Sequence, residues 1–165
     1  MESKVISPMS VSYLMGMLAN GADGITQQEI LKAIGCEGVS VNDLNELYKA
    51  MLLNANHQDK QTTVNIANYI AVNKNFKLNK NFSQQVSDGY QAGIESLDFT
   101  SSKSTDRING WCKEKTNGMI PRIIDQVSAD AVSYLMNAIY FKGTWQNKFN
   151  AKDTKLENFR GYTRD

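Results

Sequence analysis

The chain has 165 residues, enough for one domain with a hydrophobic core, and its 41% hydrophobic and 21% charged residues argue against a disordered chain. Its 18 basic and 17 acidic residues leave a net charge of +1 with no dense basic block, so nucleic-acid and membrane-surface binding are not indicated. The longest apolar run, near residues 134–141, is far shorter than the ~20 residues of a membrane span. No signal-peptide pattern precedes Ser7. We therefore expect a globular protein whose partner is another protein.

Three helices are predicted in the first third of the chain. Ser7 followed by Pro8 is a helix start, because the serine can cap the helix and proline fits its first position. Apolar residues on nearly all sides predict that this helix runs through the interior and ends at Gly21. Residues 26–29 form a capping box that begins a short surface helix. A third, amphipathic helix is expected over about residues 41–56.

Strands and helices alternate in the rest of the chain. Apolar residues recur with period two from Thr63, which predicts a long strand, and residues 94–99 predict a second strand after a short helix. A further helix carries Ile108, Trp111 and Cys112 on one stripe. Residues 132–141 are apolar on both faces, which is typical of a central strand covered above and below. This order of elements predicts an α+β fold.

Several segments resemble, in order and spacing, landmarks of the serpin family. The most specific are INGW at residues 108–111 with TNGMI at 116–120, and NAIYFKGTW at 137–145 with Phe149. They resemble the sixth helix and the third strand of the large sheet of a serpin. Met119 is a departure, since the family usually has lysine there. The other matching segments are residues 6–10, 17–22, 26–30, 65–68, 90–92 and 97–99. Thr154 and Phe159 continue the family spacing into a further strand.

The resemblance covers the chain and implies a helical layer packed on part of a large mixed β-sheet. Residues 1–165 would form a partial serpin domain, lacking the first helix of the family fold before Lys4. The chain would also lack the part after Asp165 that carries the fifth large-sheet strand and the reactive loop. By resemblance, the location would be extracellular or periplasmic.

The resemblance also assigns roles to polar residues. Ser7, Ser10 and Asn137 match the shutter, the polar network where the large sheet opens. An amide in a buried strand costs about 1–3 kcal/mol if it lacks a partner, so we expect Ser7 and Ser10 to bind Asn137. Ser7 can cap its helix at the same time. Trp145 matches the tryptophan of the breach, where loop insertion begins, although a large aromatic there would by default be core.

By the same resemblance, the strand over residues 132–141 would be one of two strands that separate to admit the loop. The residues assigned to this loop-insertion strand are Leu135, Asn137, Ile139 and Phe141. An ordinary central strand would explain the same apolar pattern. Residues read as structural are Trp111, Thr116 and Gly118, an anchor and a helix terminator.

In the resembling family a protease cleaves an exposed loop, which inserts as a new strand into the large sheet before the acyl-enzyme hydrolyses. The first hypothesis is therefore that the parent protein inhibits a serine or cysteine protease through the absent loop, with the C-terminal part of the fold as a second partner. This chain alone is not expected to inhibit. The alternative is a non-inhibitory serpin acting as a carrier, chaperone or binding module. A third possibility is an aggregation-prone chain with an unpaired strand edge.

No residue set supports an enzyme, a cofactor or a metal site. His57 is the single histidine and lies in a polar stretch, so we expect it to be solvated rather than catalytic. Cys36 and Cys112 are too few for a disulfide framework and are expected to be structural thiols. The third helix carries only Lys49, so a basic stripe for heparin-like cofactors is not indicated.

Overall fold

A computed structural model describes residues 6–55 and 61–158, so His57 and Phe159 lie outside the described residues. The helices are α1 (Pro8–Ala19), α2 (Gly24–Ala33), α3 (Val41–Ala55), α4 (Lys80–Tyr90) and α5 (Ser102–Lys115), with a short 3-10 helix at Ala151–Asp153. The strands are β1 (Thr62–Asn73), β2 (Gly93–Leu97) and β3 (Ser133–Gly143). The predicted α+β class is confirmed.

The three strands form one mixed sheet in the order β2-β1-β3. β1 pairs in parallel with β2 and antiparallel with β3. β3 was expected to be covered on both faces and to have lost one sheet neighbour in this chain; among the described residues it contributes to both cores and pairs with β1 on one side only. An apolar pattern on both faces shows that both faces are covered, and it carries no information about the strand's hydrogen-bonding edges.

Each face of the sheet carries its own core. On one face, Ile66 and Ile70 of β1 pack with Tyr13, Leu44 and Tyr90 of the first four helices. The opposite face packs against α5. The buried residues of this second core include Tyr69, Ala71, Ile108, Trp111, Cys112, Met136 and Ala138. Because neighbouring strand residues point to opposite faces, β3 contributes alternately to the two cores.

α1 begins as predicted. Ser7 has extended backbone, and its side chain accepts a hydrogen bond from the Ser10 backbone N at 3.3 Å. The helix is less interior than expected, because Val11 and Leu18 are 55% and 45% exposed. The buried residues of the helix are Tyr13, Gly16, Met17 and Ala19, and Tyr13 and Gly16 lie against tyrosines of α3 and α4.

Two predicted details of the chain are wrong. α2 begins at Gly24, because Asp23 Oδ1 accepts from the Gly24 N at 2.8 Å and so caps the helix. Thr26 therefore lies inside the helix and is not its cap. Towards the end of the chain, residues 154–158 have no regular secondary structure, so the expected strand does not form over these residues.

Candidate functional site

The candidate site is a pair of asparagines that face each other across two strands. Asn68 of β1 is directly opposite Asn137 of β3 in the antiparallel register. Their neighbours on the same face, Ile66 opposite Ile139 and Ile70 opposite Leu135, pack into the core beneath the helical layer. The site is therefore a polar pair within an apolar surface, where each amide must find a partner or destabilise the fold.

The two amides form a short chain of hydrogen bonds. Asn137 Nδ2 donates to Asn68 Oδ1 at 2.8 Å, and Asn68 Nδ2 donates to the Tyr90 carbonyl O at 2.8 Å. This chain links β3 through β1 to the C-terminal end of α4. Asn137 Oδ1 is buried and has no hydrogen-bond partner among the described residues. The site thus presents one buried acceptor without a donor.

The expected hydrogen bonds from Ser7 and Ser10 to Asn137 are not the ones that form, since Asn68 takes that place. Ser7 is exposed and caps α1. The physical reason is the strand register, which sets Asn68 opposite Asn137 and gives the Asn137 Nδ2 its acceptor there, while Asn137 Oδ1 has no donor among the described residues. The assignment of Ser7, Ser10 and Asn137 to a shutter remains a prediction.

The predicted loop-insertion residues all lie on one face of β3. Leu135 and Ile139 pack against the first core, whereas Phe141 is 68% exposed. Met136 and Ala138 face α5, so the central part of β3 is covered on both sides. Its outer edge has no strand beside it among the described residues. The strand therefore offers a row of backbone donors and acceptors along a covered sheet.

Trp145 lies two residues beyond the end of β3 and is 71% exposed, so it is not core here. Its ring meets Phe149 edge-on, with 5.8 Å between the centroids. Together with Phe141 and Thr62 it borders a surface groove at this end of the sheet. Its role in a breach remains a prediction.

The residues predicted to be structural lie on the opposite face from the asparagine pair. Trp111 is buried and stacks on Tyr69 at 5.1 Å. Thr116 Oγ1 donates to the Cys112 carbonyl O at 2.8 Å and accepts from the Ile120 N at 3.0 Å. Gly118 has φ +82°, a conformation that favours glycine after a helix end. These contacts fit an anchor and a terminator.

Sequence reasoning missed a tyrosine cluster beside the site. The rings of Tyr13 and Tyr90 lie on either side of Tyr48, at centroid distances of 4.9 and 5.4 Å. Burial raises the pKa of the Tyr13 and Tyr90 hydroxyls, and neighbouring Tyr48 raises it further, so both stay protonated. Neither hydroxyl has a hydrogen-bond partner among the described residues. The three tyrosines lie on separate helices, so the local sequence pattern does not show that they come into contact.

Asn68 was also missed as a site residue, although it lies within a segment that carried the family resemblance. The usable signal was its parity, because it falls on the same face as Ile66 and Ile70, which are apolar.

Neither cysteine is part of the candidate site. Cys112 is fully buried, and desolvation raises the pKa of its thiol, which keeps it protonated and unreactive. Cys36 is partly buried, and both cysteines are free. Over residues 6–55 and 61–158 there is no cluster of three or more side chains able to hold a metal ion. Within the same ranges, no helix has the length and apolar character needed to span a membrane.

Comparison with known proteins identifies the family. The family model described as Serpin (serine protease inhibitor) matches residues 2–164. This chain belongs to the serpin family, a family of protease inhibitors rather than enzymes. The resemblance read from the sequence is thereby confirmed.

Individual relatives agree. Serine protease inhibitor 42Dd of Drosophila melanogaster is 32% identical over 162 residues, which cover 96% of this chain and 44% of that protein. The latent structure of the thermophilic serpin tengpin aligns with a TM-score of 0.85 and 34% identity, covering 92% of this chain and 41% of that one. Thyroxine-binding globulin in complex with thyroxine aligns with a TM-score of 0.80 and 26% identity, covering 88% and 41%. The chain spans less than half the length of each of these proteins.

Proposed function

We propose that the protein represented by this chain inhibits a serine or cysteine protease by inserting its cleaved reactive loop beside β3. The observation that carries the proposal is the outer edge of β3, an 11-residue strand with one neighbour among the described residues. An added strand would pair with its backbone groups, as strand addition does generally. Family membership supports the proposed reaction, and the open strand edge supports the proposed place of insertion.

The asparagine pair gives this proposal a chemical detail. Asn137 Oδ1 is a buried acceptor without a partner in the described part of the chain. A donor from an element packed against β3 would satisfy it, and the gain would be about 1–3 kcal/mol relative to the unpaired state. In the proposed role as a shutter, Asn137 would thus help to determine which arrangement of the sheet is favoured.

The test combines this chain with a separately made remainder of the parent serpin. The mixture is treated with trypsin-like, chymotrypsin-like and elastase-like proteases and examined for a denaturant-stable adduct. We expect an adduct with one protease class, and we expect Asn137→Ala to reduce it. Asn42→Ala, an exposed asparagine on α3, is the matched control and should leave the adduct unchanged. Thermal melting of both variants checks that they fold.

The second candidate is a non-inhibitory serpin acting as a carrier, chaperone or binding module. The observation that favours it is the structural likeness to thyroxine-binding globulin, whose structure holds a small ligand. The two functions separate after cleavage of the loop. Insertion adds a strand, so an inhibitor should become more heat-stable and form an adduct. Cleavage without either change, in a reassociated protein, would support the non-inhibitory function.

Protease partners and an extracellular or periplasmic location form part of the same proposal. Specificity in this family resides in the reactive loop, so the protease class has to be measured with the remainder present.

A further inference from the structure

Three Asn-Gly dipeptides occur in the chain, at Asn20, Asn109 and Asn117. Asn-Gly is chemically special because the backbone nitrogen of the glycine can attack the side-chain amide carbon of the asparagine, with no Cβ on the glycine to hinder it. In an unfolded chain the three dipeptides would react similarly. In the folded chain, the local structure decides which of them can react.

Asn20 is held at the end of α1. Its Nδ2 donates to the Gly16 carbonyl O and to Asn45 Oδ1, both at 2.9 Å, and its Oδ1 accepts from Asn45 Nδ2 at 2.7 Å. Asn45 is buried, so this reciprocal amide pair ties α1 to α3 inside the helical layer. Both the carbon under attack and the leaving nitrogen are fixed in place.

Asn109 is held within α5. Its Nδ2 donates to the Ile124 carbonyl O at 3.0 Å, and its Oδ1 accepts from the backbone N of Ile123 and of Ile124 at 2.8 and 3.1 Å. The following glycine is inside the helix, where its backbone N cannot approach the side chain of the preceding residue. Reaction here would require α5 and the return segment to separate.

Asn117 differs in every respect. It lies beyond the end of α5, is exposed and has a left-handed backbone at φ +49°. Its side-chain amide makes no hydrogen bond to any residue within 6–55 or 61–158. The backbone of the dipeptide is held by two hydrogen bonds, from the Asn117 N to the Glu114 carbonyl O at 3.2 Å and from the Gly118 N to the Lys113 carbonyl O at 2.7 Å. Both bonds belong to the last turn of a helix, where local opening costs little.

We propose that Asn117 is a site of spontaneous deamidation. The deprotonated backbone nitrogen of Gly118 attacks Cγ of Asn117, so that an N–Cγ bond forms, the Cγ–Nδ2 bond breaks and the side-chain nitrogen leaves as ammonia. Water then adds to either carbonyl of the resulting succinimide and opens it. The products are an aspartyl or an isoaspartyl residue, and no oxidant or reductant takes part.

The modification changes the turn that leads from α5 into the return segment. It puts a carboxylate at the C-terminal end of a helix, where negative charge is unfavourable. The isoaspartyl product also lengthens the backbone beside two hydrogen bonds, from Met119 N to the Thr116 carbonyl O and from Ile120 N to Thr116 Oγ1, both 3.0 Å. As a sample of the protein ages, deamidation at Asn117 would therefore weaken the packing of the segment that follows α5.

The test uses the folded chain held at mildly alkaline pH and body temperature, followed by trypsin digestion and mass spectrometry. Cleavage after Lys and Arg puts the three asparagines in separate peptides, with Asn117 in residues 116–122 and Asn109 in residues 108–113. We expect Asn117 to convert at least about tenfold faster than Asn20 and Asn109, because its reaction needs only local opening of a helix end. A sample unfolded in urea should convert all three at similar rates.

Asn117→Gly is the matched variant, because glycine tolerates the left-handed backbone and removes the reactive amide. It should abolish the mass change in peptide 116–122 and leave the other two peptides as they were. Conversion of Asn20 or Asn109 as fast as Asn117 in the folded chain would overturn the proposal. An unchanged Asn117, in conditions where the unfolded sample reacts, would overturn it as well.

Discussion

Gly16 lies where two tyrosine rings meet α1. A Cβ added at this position would come within 2.6 Å of the Tyr90 hydroxyl and 2.7 Å of Tyr48 Cε2. Since both rings are buried, neither can move aside without disturbing the helical layer. The absence of a side chain at Gly16 is therefore what allows α1, α3 and α4 to pack so closely.

We predict that Gly16→Ala destabilises the chain by about 1–3 kcal/mol, the usual cost of overpacking a core. Urea unfolding followed by circular dichroism measures the change. Gly110→Ala is the control, because it is also in a helix but has no atom within 4 Å of the added Cβ. It should stabilise by about 0.5–1 kcal/mol through helix propensity alone. Equal effects from the two substitutions would contradict this account.

The two asparagines of the pair should contribute unequally to the stability of the fold. Asn68→Ala leaves both the Tyr90 carbonyl O and Asn137 Nδ2 without their partners, whereas Asn137→Ala leaves only Asn68 Oδ1 unpaired. With about 1–3 kcal/mol for each buried group left unpaired, Asn68→Ala should be the more destabilising in this chain. A double-mutant cycle in urea measures the coupling between them. A larger effect at Asn137 would show that the amide chain does not control stability here.

At the scale of elements, polar side chains fasten α5 to the sheet. Tyr69 Oη donates to Glu95 Oε2 at 2.8 Å, and Arg107 of α5 forms an ion pair with the same carboxylate at 2.8 Å while lying over the Tyr69 ring. Partial burial acts to raise the pKa of Glu95, but the hydrogen bonds from Arg107 and Tyr69 outweigh it and hold that pKa below its usual value. One carboxylate thus joins β1, β2 and α5.

An ion pair just beyond the ends of β1 and β2 makes the stability of the fold depend on pH. Lys74 Nζ lies 2.7 Å from Asp98 Oδ2, and this hydrogen bond, with a second from Thr100, lowers the pKa of Asp98 to about 2. A lowered folded-state pKa means that the stabilisation is present above the ordinary value of 3.8 and is lost as the pH falls towards about 2. We predict that the unfolding free energy declines over this window and that Asp98→Asn flattens the decline.

Urea titrations at successive pH values measure that slope. Asp88→Asn, which removes an exposed carboxylate on α4, is the control and should keep the wild-type slope. Identical slopes in all three proteins would rule out Asp98 as the responsible group.

Elements with a strong local signal were predicted well. The Ser7 cap, the amphipathic pattern of α3 and the period-two pattern of β1 all depend on near neighbours in the sequence, and the structure places all three as expected. The start of α2 was wrong because two capping signals compete there, and Asp23, the earlier one, forms the cap. Local pattern alone does not rank such competing caps.

The candidate site was predicted only in part, for a different reason. Asn137 was identified as a buried amide, which parity within a strand can show. Its partner could not be found in this way, because Asn68 becomes its neighbour only through the long-range register of β1 and β3. The open edge of β3 was expected from the family resemblance and not from the hydrophobic pattern, since pairing between distant strands leaves no trace in local periodicity.

At the scale of the whole molecule, the exposed aromatics near the end of β3 predict self-association of this chain. Phe141, Trp145 and Phe149 are 68%, 71% and 81% exposed, and they adjoin a strand edge without a neighbour in the described residues. Exposed apolar clusters and open edges favour association. We predict that Phe141→Lys lowers the weight-average mass of the chain, measured by sedimentation equilibrium at high concentration. Phe76→Lys, at a 46% exposed site away from this edge, should have little effect.

A monomeric wild-type chain at those concentrations, unfolding cooperatively, would contradict this prediction. It would also remove the third hypothesis raised from the sequence, that an open strand edge makes this chain aggregate.

The β1–β3 pairing also sets an order of events on the ribosome. Val72 pairs with Ser133 and Thr62 with Gly143, so all of the chain between β1 and β3 must be synthesised before the two strands can pair. At roughly 5–20 residues per second, β1 leaves the exit tunnel several seconds before its antiparallel partner is complete. During that interval β2 is the one strand among the described residues that can pair with it. Codon choice between β1 and β3 would lengthen or shorten this interval, and slow codons just after Gly143 would extend it further, because β3 must itself leave the tunnel before it can pair.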